Sequence, residues 1–349
     1  MRIINTILII IVFSTYVIFF GRSLPEEITY SPLWVNDIDT PEMGGGDSEG
    51  SIPFLLDGKI VYVSNSGKTI YSEDLLYGAA IDNHGFINYS RQNKVLVVKG
   101  SKGQFQNAVD QPGYPFFSGE RRFIISYDNN SVGEFNLSGD VLWEKTYGST
   151  LSSVSASDSL VFVSNTNGGI QVLSKSGENI FSKQIKSSRI NIVYGGSVSD
   201  NGEYIVTVTG IDPKLISIWK DNGGNYKIDK TWTLSSEIRR NSLTGFSPDG
   251  LFAYIESEQE FFIIDLKRMK IHSKSLSGRI QYINFPGSSG LIQILGKNKD
   301  GYYLTVLEKD LNPLVYTSIR ADDSALKIYN NKLLLGINHK IIAYNMEAM

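Results

Sequence analysis

The chain has 349 residues, a formal net charge of −3 at neutral pH and no cysteine. That charge gives no drive toward nucleic acid or acidic lipid. The absent cysteine excludes disulfides, thiol chemistry, Cys-based metal sites and a lipid-bearing Cys.

Met1 and Arg2 precede an uncharged stretch, residues 3–20, dominated by Ile, Val and Phe. As a helix rising about 1.5 Å per residue it would span about 27 Å, close to the hydrocarbon thickness of a bilayer. Residues 1–23 therefore read as an N-terminal membrane anchor or, with Gly21-Arg22-Ser23 as a cleavage site, as a signal peptide. Either reading exports residues 24–349 to an extracytoplasmic place: periplasmic, anchored in the inner membrane, or secreted.

An orphan strand follows at residues 31–35, carrying Leu33-Trp34-Val35. Residues 36–51 contain Asp37, Asp39, Glu42, Asp47, Glu49 and Gly44-Gly45-Gly46, and they read as a flexible acidic loop. Asp37-Ile38-Asp39 is not a calcium loop, because Thr40-Pro41 stands where further ligands and a turn glycine are needed.

From there one phrase recurs: a strand, a tight polar turn, then an apolar run. The runs begin at Lys59, Lys94, Arg122, Ser159, Glu203, Leu251, Gly290 and Lys332, with starts 35, 28, 37, 44, 48, 39 and 42 residues apart. A period near forty made only of strand signals predicts an all-β single β-propeller of eight blades. In each blade strand A precedes the run, across turns such as Asp57-Gly58, Asp200-Asn201-Gly202 or Ser247-Pro248-Asp249-Gly250. The run is strand B, and C and D follow. The second unit is compressed, with strands at 86–90, 94–98 and 104–109. That blade is expected to have three strands, or the count falls to seven.

The last unit has strands near 325–329, 332–336 and 340–344, and then the chain ends without a D strand. Another D strand carries Val141-Leu142-Trp143 and a further one Trp232, so the orphan Trp34 strand is expected to complete the last blade and close the ring.

No linear trace of catalysis is present. His84, His272 and His339 lie in three different units, without metal-ligand spacing. The basic clusters Arg121-Arg122, Arg239-Arg240 and Lys267-Arg268-Met269-Lys270 are expected as solvated turn charge. No catalytic, cofactor or metal residue is named.

Ser-Pro-Asp-Gly at 247–250 and Ser199-Asp200-Asn201-Gly202-Glu203-Tyr204-Ile205 resemble the A–B turn of WD40-like repeats. Ser138-Gly139-Asp140-Val141-Leu142-Trp143 resembles the ending of PQQ-like repeats. In length and blade style the chain is similar to the outer-membrane-assembly propeller scaffold of Gram-negative bacteria, though it lacks that family's lipidated Cys. The resemblance implies a non-enzymatic, membrane-tethered scaffold that binds protein partners in a cell-envelope complex. The alternative is a propeller enzyme acting on glycans or small polar substrates, which needs carboxylates converging at the central channel.

Overall fold

The structure is a computed structural model that describes residues 28–39, 50–235, 240–258, 260–285 and 290–348. The expected anchor or signal, and most of the expected acidic loop, lie outside the described residues. Those described form 31 β-strands in eight sheets, each one blade of a ring.

Strand β1 is Ile28–Asp37. Blade 1 holds β2 (Ser51–Leu56), β3 (Lys59–Ser64) and β4 (Thr69–Asp74). Blade 2 holds β5 (Gly78–Ile81), β6 (Gly85–Tyr89), β7 (Leu96–Gly100) and β8 (Phe105–Val109). Blade 3 holds β9 (Tyr114–Ser118), β10 (Arg121–Ile125), β11 (Ser131–Phe135) and β12 (Val141–Thr146). Blade 4 holds β13 (Leu151–Ala156), β14 (Leu160–Asn165), β15 (Gly169–Ser174) and β16 (Asn179–Gln184). Blade 5 holds β17 (Ile190–Val198), β18 (Tyr204–Ile211), β19 (Lys214–Lys220) and β20 (Lys227–Leu234). Blade 6 holds β21 (Thr244–Phe246), β22 (Phe252–Glu256), β23 (Glu260–Asp265) and β24 (Lys270–Ser275). Blade 7 holds β25 (Arg279–Asn284), β26 (Leu291–Asn298), β27 (Gly301–Glu308) and β28 (Pro313–Ile319). Blade 8 holds β29 (Ser324–Tyr329), β30 (Lys332–Ile337) and β31 (Lys340–Ala348), and its fourth strand is β1.

The ring closes as the orphan strand predicted, over a longer span. Strand β1 pairs antiparallel with β31 from Ile28↔Ala348 to Asp37↔Lys340, with a bulge between Pro32 and Trp34. Pro32 has no N–H to give, which suits an outer edge strand. The pairing runs past Val35 through Asp37, and Ile38 is buried beyond it. Residues 40–49 lie outside the described residues.

Blades 1 and 2 depart from the expected register. Blade 2 has four strands, and its apolar run at 94–98 falls on the third of them, β7, rather than the second. The shortened spacing came from comparing a third strand with a second one. Blade 1 is the three-stranded blade among the described residues. Its β2 runs opposite to β29, the innermost strand of blade 8. At one end Asp57 N–H donates to Asp323 Oδ2 at 2.8 Å. At the other, a Cβ on Gly50 would lie 2.5 Å from Tyr329 Oη. Other innermost strands run parallel, so that Ser118 Oγ at the end of β9 donates to Ala156 O at the end of β13.

The turn between β3 and β4 settles the correspondence. Ser64 N–H donates to Lys68 O at 2.8 Å and Gly67 N–H to Ser64 O at 3.0 Å. Between β15 and β16, Ser174 N–H donates to Glu178 O at 2.8 Å and Gly177 N–H to Ser174 O at 3.0 Å. Strands β2, β3 and β4 therefore match the second, third and fourth strands of a regular blade. The run at 59–63 is a third strand, and no described residue supplies a first one.

The core lies between blades. In β14, Val161, Phe162 and Val163 are each no more than 1 % exposed, because neighbouring blades cover both faces. Burying one such side chain stabilises the fold by about 1.5–3 kcal/mol. The fourth strands β12 and β20 are mostly exposed.

Candidate protein-binding face

The innermost strands decide what the channel wall can do. Across the first strands of blades 2 to 8, β5, β9, β13, β17, β21, β25 and β29, and the innermost described strand of blade 1, β2, there is no Asp or Glu, and the only charged residues are Arg279 and Lys327. Burial holds the Lys327 ammonium below the ordinary lysine range. Acid–base cleavage of a glycosidic bond requires two carboxylates, and these strands supply none.

The histidines stay apart. His84, in the β5–β6 turn, lies 3.5 Å from Glu120, and His339, in the β30–β31 turn, lies 3.8 Å from Asp37. His272 sits on the outer strand β24. Among the described residues no three His, Asp or Glu side chains come together as a metal site would need.

Two of the basic clusters are not what the sequence predicted. Lys267 and Arg268 are solvated turn charge, as expected. Arg121 and Arg122 are buried in β10 instead. Arg121 makes a bidentate pair with Glu134 at 2.9 and 2.6 Å and donates to Ser157 O in the next blade at 2.8 Å. Trp143 Nε1 donates to the same carboxylate at 2.9 Å. Arg122 reaches back to Asp82 of blade 2 at 2.8 Å. Arg240 pairs with the buried Glu256 at 2.7 and 3.0 Å, and Glu256 also accepts from Ile280 N–H of blade 7 at 2.9 Å. Arg239 lies outside the described residues. These arginines bolt blade to blade, and their partners are used up within the fold.

A row of tyrosines joins blades 2 and 3 along one face and reaches solvent at Tyr77. Tyr77, Tyr89, Tyr114 and Tyr127 meet edge to face, with centroids 6.1, 6.2 and 5.1 Å apart. They sit before β5, at the end of β6, at the start of β9 and after β10, which places all four on the face where the innermost strands begin. Arg91 lies 4.3 Å over the Tyr77 ring and donates to its hydroxyl at 2.9 Å. Tyr127 Oη donates to Asn93 O at 2.9 Å. Burial raises the Tyr89 and Tyr127 hydroxyls above the ordinary tyrosine range, so both remain neutral donors. Tyr77 stays about half exposed beside the exposed Leu76.

Exposed apolar side chains gather on the same two blades. Leu76, Val95, Val97, Phe105, Leu137, Val141 and Leu142 are all exposed. Asn107 Nδ2 donates to Leu137 O, which brings the β11–β12 turn against β8. Leu76 and Val95 lie at the tyrosine end of these blades, whereas Phe105, Leu137, Val141 and Leu142 lie toward the opposite end. Exposed Tyr, Arg and large apolar groups match the composition of protein-binding hot spots. No linear motif marks this face, because the four tyrosines come from four separate strand ends.

A family model described as beta-propeller protein matches residues 1–349. The chain belongs to the β-propeller family. This propeller is similar in fold to BamB from Moraxella catarrhalis, with a TM-score of 0.58, 13% identity, and coverage of 91% of this chain and 100% of that one. It is also similar to the computationally designed Ika8 protein, with a TM-score of 0.63, 12% identity, and coverage of 86% of this chain and 94% of that one. No curated protein matches the propeller's sequence.

Proposed function

We propose that this propeller is an exported, membrane-tethered, non-enzymatic scaffold that binds protein partners in a cell-envelope complex, with the tyrosine face of blades 2 and 3 as its docking surface. The observation that carries the reading is a contrast. The described innermost strands carry no carboxylate, while aromatic and apolar groups stand exposed on one sector of the ring. The fold it shares with BamB, together with the resemblance of its sequence to the outer-membrane-assembly propeller scaffold, supports the same assignment. A rigid ring suits this role because its loops and rims present side chains without ordering cost.

Site-specific photo-crosslinking from position 77 in intact cells, combined with membrane fractionation and N-terminal sequencing, tests the proposal. Adducts with a discrete partner in the envelope fraction are expected. Soluble cytoplasmic protein without adducts would sink it.

A further inference from the structure

Blade 7 carries a recess of about 810 Å³ on the face where the innermost strands begin. It shares that face with the tyrosine row of blades 2 and 3 but lies in a different sector of the ring, and its chemistry is different. Tyr302 and Ile319 are the buried parts of its lining. Lys297 Nζ donates to Tyr302 Oη at 2.9 Å, and Tyr302 Oη donates to Asp323 Oδ1 at 3.2 Å, which fixes the Tyr302 ring.

Above this floor stand Lys299 in the β26–β27 turn and Arg320 just past β28. Neither has an ion-pair partner among the described residues. Asp300 is the one carboxylate of the lining. Two cations against one carboxylate leave a single positive charge, which suits a monoanion. Ser277, Ser318 and Asn298 add hydroxyl and amide groups. Tyr316 stacks on Tyr303 at 5.8 Å with 20° between planes, and it is 55% exposed, so it offers an aromatic surface to the recess.

These groups match one kind of ligand. A carboxylate is taken by the guanidinium and ammonium. Ring hydroxyls are taken by Asp300, Asn298 and the serines, and the apolar face of a pyranose ring lies on Tyr316. We infer that the blade 7 recess binds a hexuronic acid unit of an acidic polysaccharide, through Lys299, Arg320 and Tyr316. The recess volume lies in the range of small-ligand pockets, about 300–1,000 Å³. An acidic peptide would supply carboxylates as well, but it would leave the hydroxyl-matching groups idle.

Titration calorimetry of the full-length protein with trigalacturonate tests this, against galactotriose, a triglutamate peptide and inorganic phosphate. Binding of trigalacturonate is expected to weaken as salt rises and to be at least tenfold tighter than that of the other three. Lys299→Ala with Arg320→Ala is expected to lower it at least tenfold, and so is Tyr316→Ala. Lys267→Ala with Arg268→Ala, on the exposed turn of blade 6, should leave it unchanged. Circular dichroism confirms that each variant is folded. No binding of trigalacturonate, equal binding by triglutamate or phosphate, or full binding by the double variant of Lys299 and Arg320 would each overturn the assignment.

Discussion

The indole of Trp34 lies flat against Gly67, so closely that a Cβ there would sit 2.6 Å from the ring. Trp34 belongs to blade 8 by its hydrogen bonds, and Gly67 lies in the last turn of blade 1. The contact therefore spans the seam where the ring closes. Trp143 and Gly177 repeat it between blades 3 and 4, with a Cβ 2.7 Å from the ring.

Replacing Gly67 by Ala should open this seam. The added carbon strikes a ring that packs on the core, and the backbone there has a φ of +90°. Urea unfolding is expected to show a loss of about 2 kcal/mol or more. Gly148→Ala, where no atom lies within 4 Å, is the control and should be near neutral.

Removing Glu134 leaves the Arg121 guanidinium buried without its carboxylate, and takes away one of the two acceptors of the Trp143 N–H, the other being Lys175 O. Glu134→Ala should cost about 3–5 kcal/mol. The double variant Arg121→Met, Glu134→Leu should recover most of that, since the desolvation penalty goes with the charges. Thermal unfolding of the three variants checks the order.

Glu73 makes stability depend on acid. Burial alone would raise its carboxyl, but hydrogen bonds from Lys99, Tyr71 at 2.6 Å and Asn88 at 2.7 Å together outweigh it and hold the group below the ordinary range. A lowered folded value means that the stabilisation is present above the unfolded-state value, about 4.3. It is lost as pH falls through the folded value. The stability gap between the wild type and Glu73→Gln should narrow steadily below about pH 4. Denaturant titrations at several pH values measure it.

Tyr77 and Arg91 face solvent and hold no blade together. Tyr77→Ala and Arg91→Ala should leave the unfolding midpoint within about 0.5 kcal/mol of the wild type. Each should lower partner binding by about 1–2 kcal/mol, as a hot-spot residue does. Binding of the crosslinked partner, once purified, reads this out. Unchanged affinity in both would remove blades 2 and 3 as the docking face.

The β-propeller class, its near-forty-residue period and the closing strand were legible from local chemistry. Alternating apolar residues make strands wherever they occur, and Asp57-Gly58, with φ of 53° and 69°, makes a tight turn from its own conformational preference. Trp34 could be matched to Trp143 and Trp232 because each outer strand repeats the same local need. The sequence by itself therefore determined that strands form, where they turn, and that the first one closes the last blade. Only the tertiary structure decided which strand of blade 1 is innermost, that Arg121 and Arg122 are buried bolts rather than turn charge, and that four distant tyrosines share a face. Pairing and burial depend on contacts across blades, between residues such as Arg122 and Asp82 that lie far apart in the chain, and no short window of sequence records its neighbour in the next blade.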